Sequence, residues 1–565
     1  MKERISRSLQ LKIYLVALVY FIINALQSYF TPVIDDEAYY WVWSKNLDWG
    51  FFDHPPMIAL WIKIGFFFIK NALGVRLISC LMGALGFVVF AKLVEVRTEH
   101  QLKLFSIIYF SFVLFQVFGF IATPDSPLLF FGIFYLYMLK KFTERSTWTN
   151  SLLLGFSMAA LMYSKYHSAF LIIFTLIPFV PKFIKNIKAY VAIIFALLLY
   201  APHLYWQYDH DFQTLEYHFF RRNANLNFYL TDPLEYLLNV LAVGSPFLMY
   251  FFLKGVDKVK KSTYTYAMIL AFFAVVGFFT FASFRSSVQA QWTLIAYLPM
   301  CYLLYQYAEQ NPSSQKWIQK LGIFTIFLLF LARIYVVIPD PIFKTKYHGW
   351  KEAMIEAGEK THGMAAFDAY QEVSLFNFYN YPNKHAAIYR TFEGRPSQYT
   401  MTNDEINLNH KDITFFSPDK TKSPTPNDSL YINSSRPFSY FPVDIKDFIS
   451  VKDLKIDILS TKIKDKKLHC KIKISGAVDS KVSPELGFSL KFVVVDKVLS
   501  ARVLCQTNVS YKAFDENPKN EVQTVIIPLC DNFSPRAGNV GYLGFSYKNL
   551  DIKNQSNYLY LAQEE

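Results

Sequence analysis

Charge is scarce in this sequence, and the glycine signatures of nucleotide binding are missing. Only 18% of the 565 residues are charged, against 53% hydrophobic. No Walker motif and no dinucleotide fingerprint occurs, so no nucleotide cofactor is expected. No solenoid-like repeat and no duplication of halves is visible, which counts against a repeat array and against a transporter built from inverted halves. Cysteine is sparse: Cys80 and Cys301 lie in apolar runs, and Cys470, Cys505 and Cys530 near the C-terminus. An oxidising compartment would allow one disulfide among the last three and leave an odd thiol; otherwise they are small buried hydrophobes.

What is abundant is apolar bulk, including 56 Phe and 38 Tyr. It comes in near-continuous runs long enough to cross hydrocarbon, at about 11–30, 73–96, 103–122, 126–140, 149–163, 167–181, 187–203, 234–253, 263–283, 289–308 and 319–338. The first run, Leu11 to Phe30, is too long for a signal-peptide core and lacks a small-residue cleavage site, so it is expected to be retained. The segment 57–70 is shorter and interrupted by Lys63 and Lys70, and reads as a second interfacial helix.

The formal charge of +13 could point to nucleic acid, but much of the excess sits in short loops between apolar runs. Alternate loops carry Arg97/Lys103, Lys140/Lys141/Arg145, Lys182/Lys185/Lys188 and Lys254/Lys258/Lys260/Lys261; the intervening ones carry Asp35 to Asp53, Asp125, Asp209, Asp211 and Asp232. By the positive-inside rule the N-terminus is cytoplasmic and everything after about residue 339 lies outside. No nucleic-acid partner is expected.

That outside tail has two patterns. Helical and strand-like stretches alternate up to about residue 440, as in a small α/β subdomain. Beyond it short strands recur about every ten residues, as in a β-sandwich. The expected division is therefore a membrane domain at 1–340 with interfacial helices within 31–70, an α/β subdomain at 341–440 and a sandwich at 441–565.

The chain is organised around Asp35-Asp36-Glu37-Ala38-Tyr39-Tyr40-Trp41 and Asp53-His54-Pro55-Pro56, which follow the first run directly. Charges beside hydrocarbon are costly and persist where they pair, face water or do chemistry. Asp35 can cap a helix whose first turn holds Asp36 and Glu37. On the same membrane face stands Thr123-Pro124-Asp125-Ser126-Pro127, with Ser126 a candidate N-cap and Pro127 at the first helical position. Lys165, His167, His203, Arg221 and Arg285 fall on that face too. Carboxylates with nearby cations suit sugar transfer from a lipid phosphate: one group takes the acceptor's proton, the others steady the leaving phosphate. A flippase for a lipid-linked sugar is the alternative, and an anchored outer binding domain a third reading.

These same motifs, with Pro202-His203-Leu204-Tyr205-Trp206-Gln207 and Gln291-Trp292, resemble the glycosyltransferase family of protein O-mannosyltransferases and lipid A aminoarabinose transferases, over most of residues 10 to 340. The resemblance implies a polytopic α-helical GT-C fold in a bacterial inner membrane, periplasmic C-terminal domains, and an inverting transfer from a polyprenyl-phosphate sugar. By position, Asp36 matches the family's first-loop catalytic aspartate and Asp125 its second acid. Asp53 and His54 fall where relatives hold the donor phosphate or a metal. Relatives often show His-Trp where this chain has Gln291-Trp292, so no role of that histidine carries over. The expected site is thus Asp36 and Asp125 for catalysis, and Glu37, Tyr40, Asp53, His54, Lys165, Arg221 and Arg285 for substrate. A divalent metal would draw on Asp36, Asp53, His54 and Asp125. The expected partners are the donor lipid, membrane lipids and a protein, lipid A or glycan acceptor.

Overall fold

The computed structural model describes residues 6–560 apart from 218–230, 286, 392–393, 426, 465–466, 497–501, 519, 531–538, 549, 554 and 558. The chain divides into two compact units, Met1–His348 and Gly349–Glu565.

The first unit is helical: α1 (Arg7–Phe30), α2 (Asp35–Trp43), α3 (Met57–Phe68), α4 (Ala72–Leu93), α5 (Glu99–Phe110), α6 (Val113–Phe118), α7 (Asp125–Glu144), α8 (Trp148–Ser164), α9 (Ser168–Leu176), α10 (Val180–Phe183), α11 (Ile187–Asp209), α12 (Gln213–Glu216), α13 (Thr231–Val243), α14 (Met249–Gly255), α15 (Thr263–Ser283), α16 (Leu294–Gln310) and α17 (Pro312–Val337). Helices α1, α4, α11, α15 and α17 are each long and apolar enough to cross a membrane; the other apolar runs form shorter, broken or less apolar helices. The protein is a multi-pass membrane protein. With 12 residues, α3 spans about 18 Å, well short of a bilayer's hydrocarbon.

Two runs read as continuous helices are broken, and the breaks meet. The run at 103–122 stops at Phe110 and restarts at Val113, and the run at 234–253 stops at Val243 and restarts at Met249. Val113 N–H donates to Gly244 O at 2.9 Å, and the hydroxyls of Ser111 and Ser245 lie 3.2 Å apart. Each interruption thus satisfies backbone freed by the other, as an apolar surrounding requires. Gly244 has to be glycine, because a Cβ there would come within 2.6 Å of the Tyr297 ring.

The second unit opens with helices α18 (Trp350–Lys360), α19 (Tyr370–Tyr379) and α20 (Gln398–Met401) around a sheet of β1 (Met364–Phe367), β2 (Ala386–Ile388), β3 (Ile413–Ser417), β4 (Leu430–Ile432) and β5 (Phe438–Ile445), ordered β2-β1-β3-β5-β4. Strand β1 pairs parallel with β2 and β3, while β5 is antiparallel to β3 and β4. Beyond it β6 (Lys455–Lys464), β7 (Lys467–Ser475) and β10 (Glu521–Pro528) form one sheet; β8 (Phe488–Asp496), β9 (Arg502–Val509), β11 (Asn539–Tyr547) and β12 (Leu559–Tyr560) form another. Their facing side chains, Ile472, Phe492 and Phe545 among them, share one apolar core with Ala366, Ile413 and Phe415 of the α/β sheet. The core therefore runs uninterrupted across residue 440, and β5 straddles that position. Cys505 and Cys530 are disulfide-bonded, and Cys470 is a buried free thiol.

Candidate active site

Where α1 ends, the chain turns through Thr31 to Ile34 and enters α2. The helix starts at Asp35 with Ile34 at the cap position, so Asp35 is not the cap residue the sequence suggested. An isoleucine has no side-chain acceptor; the carboxylate of Glu37 reaches back instead and accepts from Ile34 N–H at 3.3 Å. Asp35 Oδ1 accepts from Asp36 N–H at 2.9 Å. A similar shift occurs at α7, which begins at Asp125 after Pro124; Ser126 does not cap it, and its hydroxyl donates to Ile121 O.

Glu37, expected among the substrate contacts, is fully buried and faces the protein. Arg76 of α4 grips both its oxygens: Nε donates to Oε1 at 2.7 Å and Nη2 to Oε2. The same guanidinium donates to Ser28 O at 3.0 Å, Thr31 O at 2.7 Å and Pro32 O at 2.8 Å. Glu37 Oε1 also accepts Ala122 N–H at 2.8 Å, three residues before Asp125. One ion pair thus ties the end of α1, the first turn of α2, α4 and the turn entering α7. It sets the segment that carries Asp36 beside the segment that carries Asp125. Arg76 was not among the expected residues; its signal is an arginine one turn into an apolar run.

Asp36 lies half-buried in the first turn of α2. Asp125 is buried, and the ammonium of Lys165, also buried, lies 2.9 and 2.8 Å from its two oxygens. Lys165, expected as a phosphate clamp, thus neutralises Asp125. The next residue, Tyr166, stands within electrostatic reach of Asp53, and burial pushes its phenol well above the usual value. Buried Asp53 accepts a hydrogen bond from Tyr39 of α2 at 3.0 Å. Lys165 and Tyr166, adjacent in the chain, thus stand by Asp125 and Asp53 respectively. Tyr40 is buried against Trp43, with ring centroids 4.8 Å apart, and the His54 ring lies 6.1 Å from that of Tyr40.

The motif on α11 clamps this loop. His203 Nδ1 pairs with Trp49 O at 2.7 Å, Trp206 Nε1 donates to Asp48 Oδ2 at 2.9 Å, and Gln207 Nε2 donates to Tyr166 Oη at 2.8 Å. Gly50 passes directly beneath Trp206, where a Cβ would come within 2.2 Å of the indole. Another residue the sequence did not single out is Tyr347, which burial places in electrostatic reach of Glu37, Arg76 and Asp35.

Arg285 is exposed beyond the end of α15, its guanidinium 6.0 Å from the Phe281 ring. Trp292 rests 5.8 Å from Phe279, and Gln291 donates to Gln289 at 2.9 Å. Arg221 lies outside the described residues. Among the described residues no three His, Cys, Asp or Glu side chains converge on a common point, so Asp36, Asp53, His54 and Asp125 form no ready-made metal cage.

Chemically, the end of this bundle offers a half-exposed carboxylate, a second carboxylate neutralised by an ammonium and a third held by a phenol. Residues 53–206 match the family described as dolichyl-phosphate-mannose-protein mannosyltransferase. The chain is 24% identical over 281 residues to the lipid A galacturonosyltransferase RgtD of Rhizobium johnstonii, covering 47% of this chain and 59% of RgtD. It thus spans well under two thirds of that relative's length. Its fold is like that of ArnT from Cupriavidus metallidurans in the apo state, with TM-score 0.57 at 10% identity over 76% of this chain and 97% of ArnT. ArnT bound to undecaprenyl phosphate gives TM-score 0.56 at 10% identity over 77% and 98%. The family match is confined to residues 53–206, and the likeness to ArnT is one of fold.

Proposed function

We propose that this protein transfers a sugar from a polyprenyl-phosphate carrier to an acceptor on the non-cytoplasmic face of the membrane, with inversion. The observation that carries the reading is the acidic cluster: Asp36 half-exposed, Asp125 neutralised by Lys165, and Asp53 held by Tyr39, all tied to one end of the bundle. ArnT bound to undecaprenyl phosphate supports the donor class, and the name of RgtD, a lipid A galacturonosyltransferase, puts lipid A first among the acceptors.

Asp36 takes the proton of the acceptor hydroxyl as its oxygen attacks the anomeric carbon. The bond from that carbon to the phosphate oxygen breaks on the opposite side, and the carrier leaves as polyprenyl phosphate. The Asp125–Lys165 pair fixes the wall of the site, and the ammonium offsets the charge of Asp125 near the departing phosphate. Exposed Arg285 supplies positive charge to that phosphate. Inversion follows from a single displacement, because the cluster holds a base and no separate nucleophile is invoked.

The test is Asp36→Asn in purified protein. Transfer should fall on the order of a hundredfold or more, as for loss of a general base, with donor binding retained. Asp35→Asn, which removes the charge but keeps an oxygen to accept from Asp36 N–H, should leave transfer within a few-fold of wild type, on the order of 1 kcal/mol at most. Normal turnover by Asp36→Asn would remove the residue from the chemistry. Mass spectrometry of lipid A, envelope proteins and surface glycan, with and without the protein, identifies the acceptor.

A further inference from the structure

Away from the acidic cluster, a cavity of about 360 Å³ runs between α1, α17 and the α5–α6 junction. That volume is in the range of a small-molecule site. Its walls are helical stripes: Leu15, Val19 and Ile23 on α1, and Ile326, Phe330 and Arg333 on α17. Leu15 to Ile23 covers about 12 Å of helix, so the cavity is a groove along the bundle axis. Leu15, Val19, Ile23 and Phe330 are 46–57% exposed, so the groove opens sideways, toward lipid.

One end of the groove is cationic. Arg333 Nη2 donates to Asn24 Oδ1 at 2.9 Å, Gln116 O at 2.8 Å and Gln116 Oε1 at 3.0 Å. Its Nη1 is buried and has no hydrogen-bond partner among the described residues. Arg76 and Lys165 pair with Glu37 and Asp125, whereas Arg333 has no carboxylate partner among the described residues. An unpaired guanidinium inside a membrane helix is costly unless an anion meets it, and its fork suits a phosphate. Arg333 lies four residues before α17 ends at Val337, about 6 Å along the axis, which is headgroup depth.

We propose that this groove binds one anionic phospholipid of the surrounding bilayer. An acyl chain lies along α1 and α17, and a headgroup phosphate oxygen accepts from Arg333 Nη1. A neutral lipid fills the same groove but brings an ammonium to the guanidinium as well as a phosphate, so it binds less well. The sugar carrier is a poorer occupant: no carboxylate lines the groove, so a donor held here would have no base.

Native mass spectrometry of the purified full chain tests this. Dioleoylphosphatidylglycerol should be retained as one tightly held copy, in preference to dioleoylphosphatidylcholine. Arg333→Gln should weaken its retention at least tenfold, and Arg333→Lys should restore part of it. Val19→Trp fills the groove while leaving the hydrogen bonds of Arg333 in place, and should also displace the lipid; it decides the matter if Arg333→Gln does not fold. Equal retention of the two lipids by wild type would overturn the proposal. So would wild-type retention of phosphatidylglycerol by Val19→Trp, or a groove that holds undecaprenyl phosphate and excludes phosphatidylglycerol.

Discussion

At the scale of single residues, Asp36 and Glu37 are neighbours with opposite tasks. Asp36 is the half-exposed carboxylate; Glu37 is wholly buried and has both oxygens taken by protein donors. Removing its charge leaves Arg76 as an uncompensated buried cation, and breaking such a pair typically costs about 3–5 kcal/mol. Glu37→Gln should therefore lower the unfolding temperature sharply and reduce the yield of folded protein, while Asp36→Asn melts like wild type. Thermal unfolding in detergent separates the two: if Glu37→Gln melts normally but is inactive, Glu37 belongs to the chemistry and not to the frame. The acid-rich motif was legible in the sequence because charges beside an apolar run stand out. The roles within it were not, since adjacent helix residues point about 100° apart and only the fold decides which one meets Arg76.

At the scale of elements, the eleven apolar runs were legible and all are helical, because composition alone fixes that outcome in long runs. The breaks at Ser111 and Gly244 were not, since each depends on a partner far away in sequence. Helix starts were displaced by a residue or so for a related reason. Glu37, itself in the first turn, accepts from Ile34 N–H, and Asp35 is taken inside the helix. The contact between α11 and the first outer loop gives a test at this scale. Gly50→Ala forces a methyl group into Trp206 and so strains the hydrogen bond from the indole to Asp48. Overpacking of this kind costs about 1–3 kcal/mol. Transfer should fall along with a change in tryptophan emission, because the strain is passed to the loop that carries Asp53. Unaltered emission and unaltered transfer would show that the loop yields freely.

At the scale of the molecule, the division falls after His348, and the core of the second unit is continuous across residue 440. A truncation near residue 445 would cut away half of a shared core and expose the rest. Ending the chain after His348 leaves the acidic cluster with all its described partners. That shorter protein should insert, remain soluble in mild detergent and transfer sugar to a simple acceptor at a reduced rate. Complete inactivity in a well-behaved sample would show that the second unit contributes directly to the reaction. A β-sandwich was foreseeable from strand spacing; the seamless join to the α/β sheet was not, because it rests on which faces of β1 and β3 are buried.

The clasp between Val113 and Gly244 bears on biogenesis. Translation delivers the broken α5–α6 pair to the membrane long before the ribosome reaches Gly244. Until then the amide of Val113 has no acceptor from that later segment, and lipid supplies none. The early helices therefore have to wait, in water or in the insertion machinery, until the latecomer docks. The order in which the bundle can close is thus written into a single backbone hydrogen bond.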